Sequence, residues 1–210
     1  MKFAPLVYID LASNVLPIGA GFFKRSLLIR EKLIFFLFVV ASVVIEIIGM
    51  YLASHHTNNL WLIHIYNLIE FTLLMMIYAR WQENGLWQRL LYFSIILFAI
   101  FWIVSKWTIE GFFEPSQYTR TVSSVIFIPV ASIMLINLMR EEGMVIHRDY
   151  RFWISAGVLL NFAGNIMLFL YNGPISNLRI EEWVPIWTIH WIISIAVNLF
   201  YMGGFLCMKK

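Results

Sequence analysis

Seven apolar stretches alternate with short polar segments along the chain. Each stretch, at about 20 residues, is long enough to cross the hydrocarbon core of a bilayer as a helix. No segment between them is long enough for a soluble domain. The pattern therefore predicts an all-α polytopic membrane protein, a bundle of seven transmembrane helices in one domain over residues 1–210. The predicted spans are residues 5–22, 33–53, 60–79, 90–107, 122–139, 152–171 and 185–208.

The composition agrees with lipid as the surrounding solvent. Of the 210 residues, 61% are hydrophobic and only 13% are charged. A soluble globular chain is closer to half apolar and about a quarter charged, and a soluble core of this size has no room for so much apolar surface. Cys207 is the only cysteine, so an intrachain disulfide is excluded.

Lysine and arginine are distributed unequally between the two sides of the predicted spans. Cytoplasmic loops of membrane proteins carry an excess of these two residues. With the N-terminus outside, inside loops hold eleven of them and four remain on the outer side, so we expect an outside N-terminus and a cytoplasmic C-terminus. The eleven are Lys24, Arg25, Arg30, Lys32, Arg80, Arg89, Arg140, Arg148, Arg151, Lys209 and Lys210, and the four are Lys2, Lys106, Arg120 and Arg179.

The first span carries polar residues on one face. Asp10, Ser13, Asn14 and Pro17 follow a spacing of three and four residues. Pro17 has no backbone N–H, and its ring displaces the carbonyl of Ser13. A kinked helix that exposes a carbonyl beside Asp10 and Asn14 is typical of broken-helix binding sites. The alternative is a purely structural kink, in which neighbouring helices provide hydrogen-bond partners for the freed backbone groups.

Polar residues also lie inside the second and third spans. Glu46 has no basic residue within helical reach, so it must be neutral or meet a partner from another helix. His64, Asn67 and Glu70 occupy a polar arc of one helix, with Tyr66 one turn before Glu70. The arc must face protein or water, because lipid would leave these groups unpaired.

The last two spans differ in what their polar faces predict. The sixth aligns Gly157, Asn161, Gly164 and Asn165, a pattern that favours close helix packing. The seventh carries a longer polar stripe that is expected to face the interior of the bundle. Its members recur at steps of three or four residues and include Trp187, His190, Ser194, Asn198 and Tyr201.

These faces bring polar groups to overlapping depths. We therefore predict one polar pocket, open toward the outer side, with no lysine or arginine buried among its acids. Its acids would then be protonated, paired with imidazolium or bound to a cation. The predicted ligand-binding residues are Asp10, Asn14, Glu46, His64, Asn67, Glu70, Asn165, His190, Ser194 and Asn198.

Three classes of function fit such a pocket. The first is binding or transport of a small or lipid-derived ligand. The second is an intramembrane, zinc-dependent lipid hydrolase, with His64, His190, Glu70 and Asp10 as candidate metal ligands. The third is a structural or sensory membrane component. Retinal is not expected, because a Schiff base needs a lysine in the last span and this span has none before Lys209.

The expected partners are membrane lipids and a small-molecule or lipid ligand. No nucleic acid is expected, and the sequence identifies no protein partner. In helix count the chain resembles the ceramidase-like membrane hydrolases. That family has a pair of histidines one turn apart on its last helix, whereas here only His190 lies on the last span.

Four segments carry a broader resemblance that covers most of the chain. They are Asn-Val-Leu-Pro at 14–17, His-Ile-Tyr-Asn-Leu-Ile-Glu-Phe at 64–71, Phe-Trp-Ile at 152–154, and Asn198 before Gly203-Gly204. With these the chain resembles a group of uncharacterised bacterial seven-helix membrane proteins. The resemblance implies a seven-helix fold and a bacterial inner membrane, and it attaches no activity.

The orientation is tested by cysteine labelling. In a chain with Cys207→Ser, a cysteine at position 140 should react with a membrane-impermeant maleimide only from the cytoplasmic side, because the basic loop around Arg140 is retained there. A cysteine at position 179 is the matched control and should react only from outside. The reverse pattern would refute the predicted orientation.

Overall fold

Nearly all of the chain is helical. The computed structural model describes residues 5–141, 143, 145–171, 173–174 and 179–209; Lys2 and Lys210 of the charge count lie outside the described residues. The fold is all-α, 84% helical, and without strands in the described part. Seven helices there are long and apolar enough to cross a membrane, which confirms the predicted number of spans.

The helices follow the predicted spans closely, although several begin earlier. Two short 3-10 turns, Arg25–Leu27 and Ile146–Arg148, lie between them. In chain order the helices are α1 Pro5–Ser13, α2 Val15–Phe23, α3 Glu31–Ser54, α4 Leu60–Trp81, α5 Gly85–Thr108, α6 Tyr118–Arg140, α7 Tyr150–Leu170 and α8 Ile180–Leu206.

Polar capping residues explain why two helices start before the hydropathy does. The side chain of Asn84 accepts a hydrogen bond from the backbone N–H of Leu86 at the start of α5. The carboxylate of Asp149 accepts one from the N–H of Arg151 at the start of α7. Such caps satisfy the free N–H groups of a first turn, so a helix can begin in polar sequence.

The first span consists of two short helices with a break at Asn14, as the proline pattern predicted. Pro17 has no N–H for the carbonyl of Ser13. The Asn14 N–H bonds to Leu11 rather than continuing the α-helical pattern, at 3.3 Å. The Ser13 hydroxyl and the Asn14 amide group both turn back to the carbonyl of Asp10.

The chain divides into two compact units, Met1–Leu27 with Val122–Lys210, and Leu28–Thr121. The first, called unit 1 below, contains α1, α2, α7, α8 and most of α6. The second, unit 2, contains α3, α4, α5 and the first residues of α6. The expectation of one domain over the whole chain stays a prediction.

In unit 1, α7 and α8 pack closely because glycines lie at their contact. A Cβ on Gly157 would lie 2.7 Å from Cε1 of Tyr201. One on Gly164 would lie 2.8 Å from Cδ1 of Ile193, and one on Gly203 would lie 2.9 Å from the Trp153 ring. These distances are too short for a methyl group, so the packing role predicted for Gly157 and Gly164 is confirmed.

In unit 2, α4 packs against both α3 and α5. Phe71 of α4 stacks on Phe98 of α5, with ring centroids 3.8 Å apart. Only 17% of the apolar stretch of α5 is buried inside the protein, which is the smallest share among the seven spans. Of the seven spans, α5 is therefore the least covered by the rest of the protein.

The glycine contact is tested by Gly157→Ala. The added methyl group would press on the buried Tyr201 ring, and we expect a loss of about 1–3 kcal/mol of stability. Gly19→Ala in α2 is the matched control, because nothing lies within 4 Å of its Cβ position. Unfolding in mixed micelles of increasing denaturing-detergent content measures both variants. Equal stabilities would contradict close α7–α8 packing.

Candidate functional site

The ten predicted ligand-binding residues divide between the two units. Unit 2 holds Glu46, His64, Asn67 and Glu70, and unit 1 holds the other six. Each unit forms polar contacts of its own, which are described in turn. The single pocket shared by all ten residues stays a prediction.

In unit 2, His64 lies at the centre of a buried network. Its Nε2 donates to the backbone carbonyl of Glu114 at 2.9 Å. Its Nδ1 lies 2.6 Å from Nζ of Lys106, and that ammonium group in turn contacts Oε1 of Glu110 at 2.6 Å. Because a carbonyl oxygen only accepts, Nε2 carries the hydrogen and Nδ1 accepts from Lys106. His64 itself is completely buried.

Glu110 joins the end of α5 to the start of α6. Its Oε1 also accepts a hydrogen bond from the Thr119 hydroxyl at 2.7 Å. Its Oε2 accepts from the backbone N–H groups of Tyr118, at 2.6 Å, and Thr119, at 3.3 Å. A carboxylate at this position satisfies the first N–H groups of α6 and complements the helix dipole.

The environment of Glu110 favours its charged form. Burial by itself would raise the pKa of this carboxyl group. The side-chain hydrogen bonds within the cluster and the charge of Lys106 outweigh burial, and the pKa is lowered to about 2. Glu110 is therefore a carboxylate at neutral pH, paired with the Lys106 ammonium group.

Glu70 has a second, looser set of partners on the same helix as His64. The Tyr66 hydroxyl donates to its Oε1 at 3.2 Å. The Arg120 guanidinium lies 3.9 Å from its Oε2 and also covers the Tyr66 ring. The polar arc of α4 thus faces protein, as expected, and Asn67 is fully buried there too. Glu46 on α3 is half-buried.

The prediction that no lysine or arginine is buried among the acids is wrong. Lys106 was counted among the outside cations, at the end of the predicted span 90–107, but it lies in the last turn of α5 with its side chain 1% exposed. Arg120, assigned to the same side, lies in the first turn of α6 with its side chain 15% exposed. The chemistry requires this, because a buried carboxylate is stable only when a cation or hydrogen-bond donors balance it.

Lys106, Glu110 and Arg120 were missed as site residues. One signal in the sequence was available: Lys106 and Glu110 are four residues apart, the spacing of a helical ion pair. The loop that follows α5 carries Glu110, which is 2% exposed, and Phe112, whose ring packs edge-on against His64.

In unit 1, the break between α1 and α2 faces the polar stripe of α8. The Asn198 amide group donates to the Ser13 hydroxyl at 2.7 Å, and that hydroxyl donates to the Asp10 carbonyl. The Ser194 hydroxyl faces the Asp10 carboxylate. Asp10 is 5% exposed, and Asn14 and Asn198 are also buried. Four predicted residues, Asp10, Asn14, Ser194 and Asn198, therefore do belong to one polar cluster.

The remaining two predicted residues of unit 1 lie between α7 and α8. The His190 Nδ1–H donates to the side-chain oxygen of Asn165 at 3.0 Å. The Asn165 amide N–H groups donate to the carbonyl and side-chain oxygens of Asn161. Asn165 is 1% exposed and is one of the residues that line a cavity of about 270 Å³. We call it the α7–α8 groove; its lining residues are Gly164, Asn165, Met167, Leu168, Tyr171, Ile186 and Ile189.

The geometry gives no support to the predicted zinc site. In the described part of the chain, no three His, Cys, Asp or Glu residues lie close enough together to hold a metal ion. Both ring nitrogens of His64 already contact protein groups. Glu70 has Arg120 and Tyr66 as partners. His64 therefore has no lone pair left for zinc, and the charge of Arg120 disfavours a metal cation beside Glu70.

Comparisons with other proteins assign no family. No protein-family model matches the chain, and no curated protein or solved structure matches it. The functional argument therefore rests on the geometry of the two units.

The buried ion pair is tested by Glu110→Gln. The amide keeps the shape but leaves the Lys106 ammonium group without a balancing charge, and we expect a loss of about 3–5 kcal/mol of stability. Glu114→Gln is the matched control in the same segment, because that side chain is exposed and its backbone carbonyl still bonds to His64. Reversible unfolding in mixed micelles measures both. Equal losses would contradict the role of Glu110.

The lowered pKa of Glu110 predicts that the contribution of this residue to stability depends on pH. A carboxyl whose pKa is lowered by folding stabilises the fold fully above its unfolded pKa, and this contribution falls as the pH drops toward the folded pKa. For Glu110 the fall should occur between its ordinary value of 4.5 and about 2. The stability difference between wild type and Glu110→Gln should thus be constant from pH 8 to 6 and smaller at pH 3. A difference that grows at pH 3 would contradict it.

Proposed function

We propose that this protein binds a small lipid-derived ligand in the α7–α8 groove. The observation that carries the proposal is a mostly apolar cavity whose lining includes one buried polar side chain, that of Asn165. Its volume of about 270 Å³ is near the lower limit of ligand pockets, which occupy about 300–1,000 Å³. Such pockets are mostly apolar, with a few polar groups that orient the ligand.

The walls of the groove suit an alkyl chain. Leu168 is buried, whereas Met167 and Ile189 are 66% and 60% exposed. Both exposed side chains lie on membrane-spanning helices, so an apolar molecule can reach them from lipid. Closing such side chains around an alkyl chain replaces contacts with mobile lipid by fixed ones.

The Asn165 side chain in the lining of the groove can accept a hydrogen bond from a ligand. The amide N–H groups of Asn165 are taken by Asn161, so they are not available to a ligand. The Asn165 side-chain oxygen accepts one bond from His190, and an amide oxygen has two lone pairs. A hydroxyl, amide or amine head group is therefore the expected partner for the second lone pair.

We further propose that binding serves transport, in a bacterial inner membrane with the N-terminus outside. The charge distribution and the resemblance of segments 14–17 and 64–71 to bacterial seven-helix proteins support the location. The break in the first span supports transport, because broken helices are common at transporter sites. The networks around His64 favour a structural role for unit 2.

Photolabelling tests the ligand groove. The probe is a fatty alcohol that carries a diazirine on its chain, applied to the protein in detergent, with unlabelled fatty alcohol as competitor. Label should appear on α7 and α8 peptides and be lost with competitor. Ile189→Trp, which fills the groove, should weaken competition about tenfold or more, the result of losing about 1.4 kcal/mol of contact.

Ile192→Trp is the matched control, because Ile192 is 56% exposed on α8 but does not line the groove. This variant should label and compete like wild type. Labelling of the wild type that unlabelled alcohol does not reduce would refute specific binding in the groove. An equal weakening of competition in Ile189→Trp and Ile192→Trp would refute it as well.

A further inference from the structure

Asp10 is a buried acid whose charge is not balanced by a basic residue in the described part of the chain. It is 5% exposed and lies in a membrane-spanning helix. The ion pairs of the described residues involve other acids, namely Glu70, Glu110, Glu141, Asp149 and Glu182. One of its carboxylate oxygens, Oδ1, has no hydrogen-bond partner among the described residues. A buried carboxylate in this situation needs a positive charge or a proton.

We propose that Asp10 is the central ligand of a binding site for a monovalent alkali cation, at the break between α1 and α2. Sodium is the expected occupant, and the site would take the unpartnered Oδ1 as its first ligand. This assignment is independent of the α7–α8 groove, which lies between other helices and uses other side chains.

Oxygen-bearing side chains lie near the carboxylate. The Ser194 hydroxyl faces it, and the Ser13 hydroxyl lies one turn further along α1. Asn198 uses its N–H group on Ser13, so its side-chain oxygen is a further candidate ligand. Carboxylate, hydroxyl and amide oxygens are hard ligands, which suit alkali and alkaline-earth cations better than zinc or copper.

The charge selects a monovalent cation. Asp10 is the one acidic residue of this cluster, so an alkali ion makes the site neutral. A divalent ion would leave one uncompensated positive charge among apolar helices, which is costly. The broken helix adds to the case, because Pro17 has no N–H for the Ser13 carbonyl, and unwound carbonyls bind sodium in transporters with broken helices.

Unfolding in defined salts tests the site. The purified protein in detergent is heated at pH 8 in sodium chloride, potassium chloride or choline chloride at one ionic strength, with tryptophan fluorescence as the readout. An ion that binds only the folded state raises the midpoint temperature as its concentration rises. We expect this rise in sodium chloride and no rise in choline chloride; the potassium series shows whether the site separates the two alkali ions.

Three variants assign the effect. Asp10→Asn should abolish the alkali-dependent rise, since it removes the charge and keeps the size. Ser194→Ala should shift the required sodium concentration upward roughly 10–100-fold, the usual effect of removing a partner of a metal ligand. Glu70→Gln is the matched control, because Glu70 belongs to unit 2 and already has Arg120 as its cation.

The outcomes decide the proposal in either direction. A rise that wild type and Glu70→Gln share, that Asp10→Asn lacks and that Ser194→Ala weakens would support it. Equal midpoints in sodium and choline chloride, or a rise that persists in Asp10→Asn, would overturn it and leave Asp10 as a protonated acid. If Asp10→Asn does not fold, the sodium titration of Ser194→Ala decides alone. None of these results alters photolabelling of the α7–α8 groove.

Discussion

The ion pair between Lys106 and Glu110 shows the constraint under which this protein folds. Both side chains are almost fully buried, and their charged atoms lie 2.6 Å apart. Removing a charge from water costs several kcal/mol, and the lipid hydrocarbon provides no solvation in place of water. The pair is stable because Thr119, Tyr118 and His64 satisfy the remaining hydrogen-bonding capacity. It thereby joins α5 to the first turn of α6 and fixes the segment between them.

Unit 1 meets the same constraint with different chemistry. Its helices contact each other through glycines and through hydrogen-bonded side chains. One such series runs from the His190 imidazole to the Asn165 amide and on to Asn161. Neutral groups of this kind cost less to bury than charges, and they hold helices together in lipid. Asp10 is the exception, because its carboxylate is buried and its Oδ1 has no hydrogen-bond partner among the described residues. The two proposals follow from this contrast: unit 1 has unused polar capacity beside apolar walls, whereas the cluster around His64 is already paired.

Hydropathy predicted the seven spans because about 20 apolar residues in succession have few alternatives to crossing a membrane. The polar faces of α4, α7 and α8 were also predicted, since their residues recur at helical spacing. Helix starts were missed where Asn84 and Asp149 extend a helix into polar sequence. The partners of His64 were missed for a different reason. Lys106 is 42 residues away, and the charge count treated it as an outside cation.

A double-mutant cycle on the ion pair measures the central claim most directly. Lys106→Met, Glu110→Gln and the double variant are unfolded under one set of conditions. If the two charges stabilise each other inside the protein, the double variant should lose less stability than the sum of the two single losses, by about 0.5–3 kcal/mol. Strictly additive losses would contradict the account, because they would mean that each side chain is stabilised by something other than its partner.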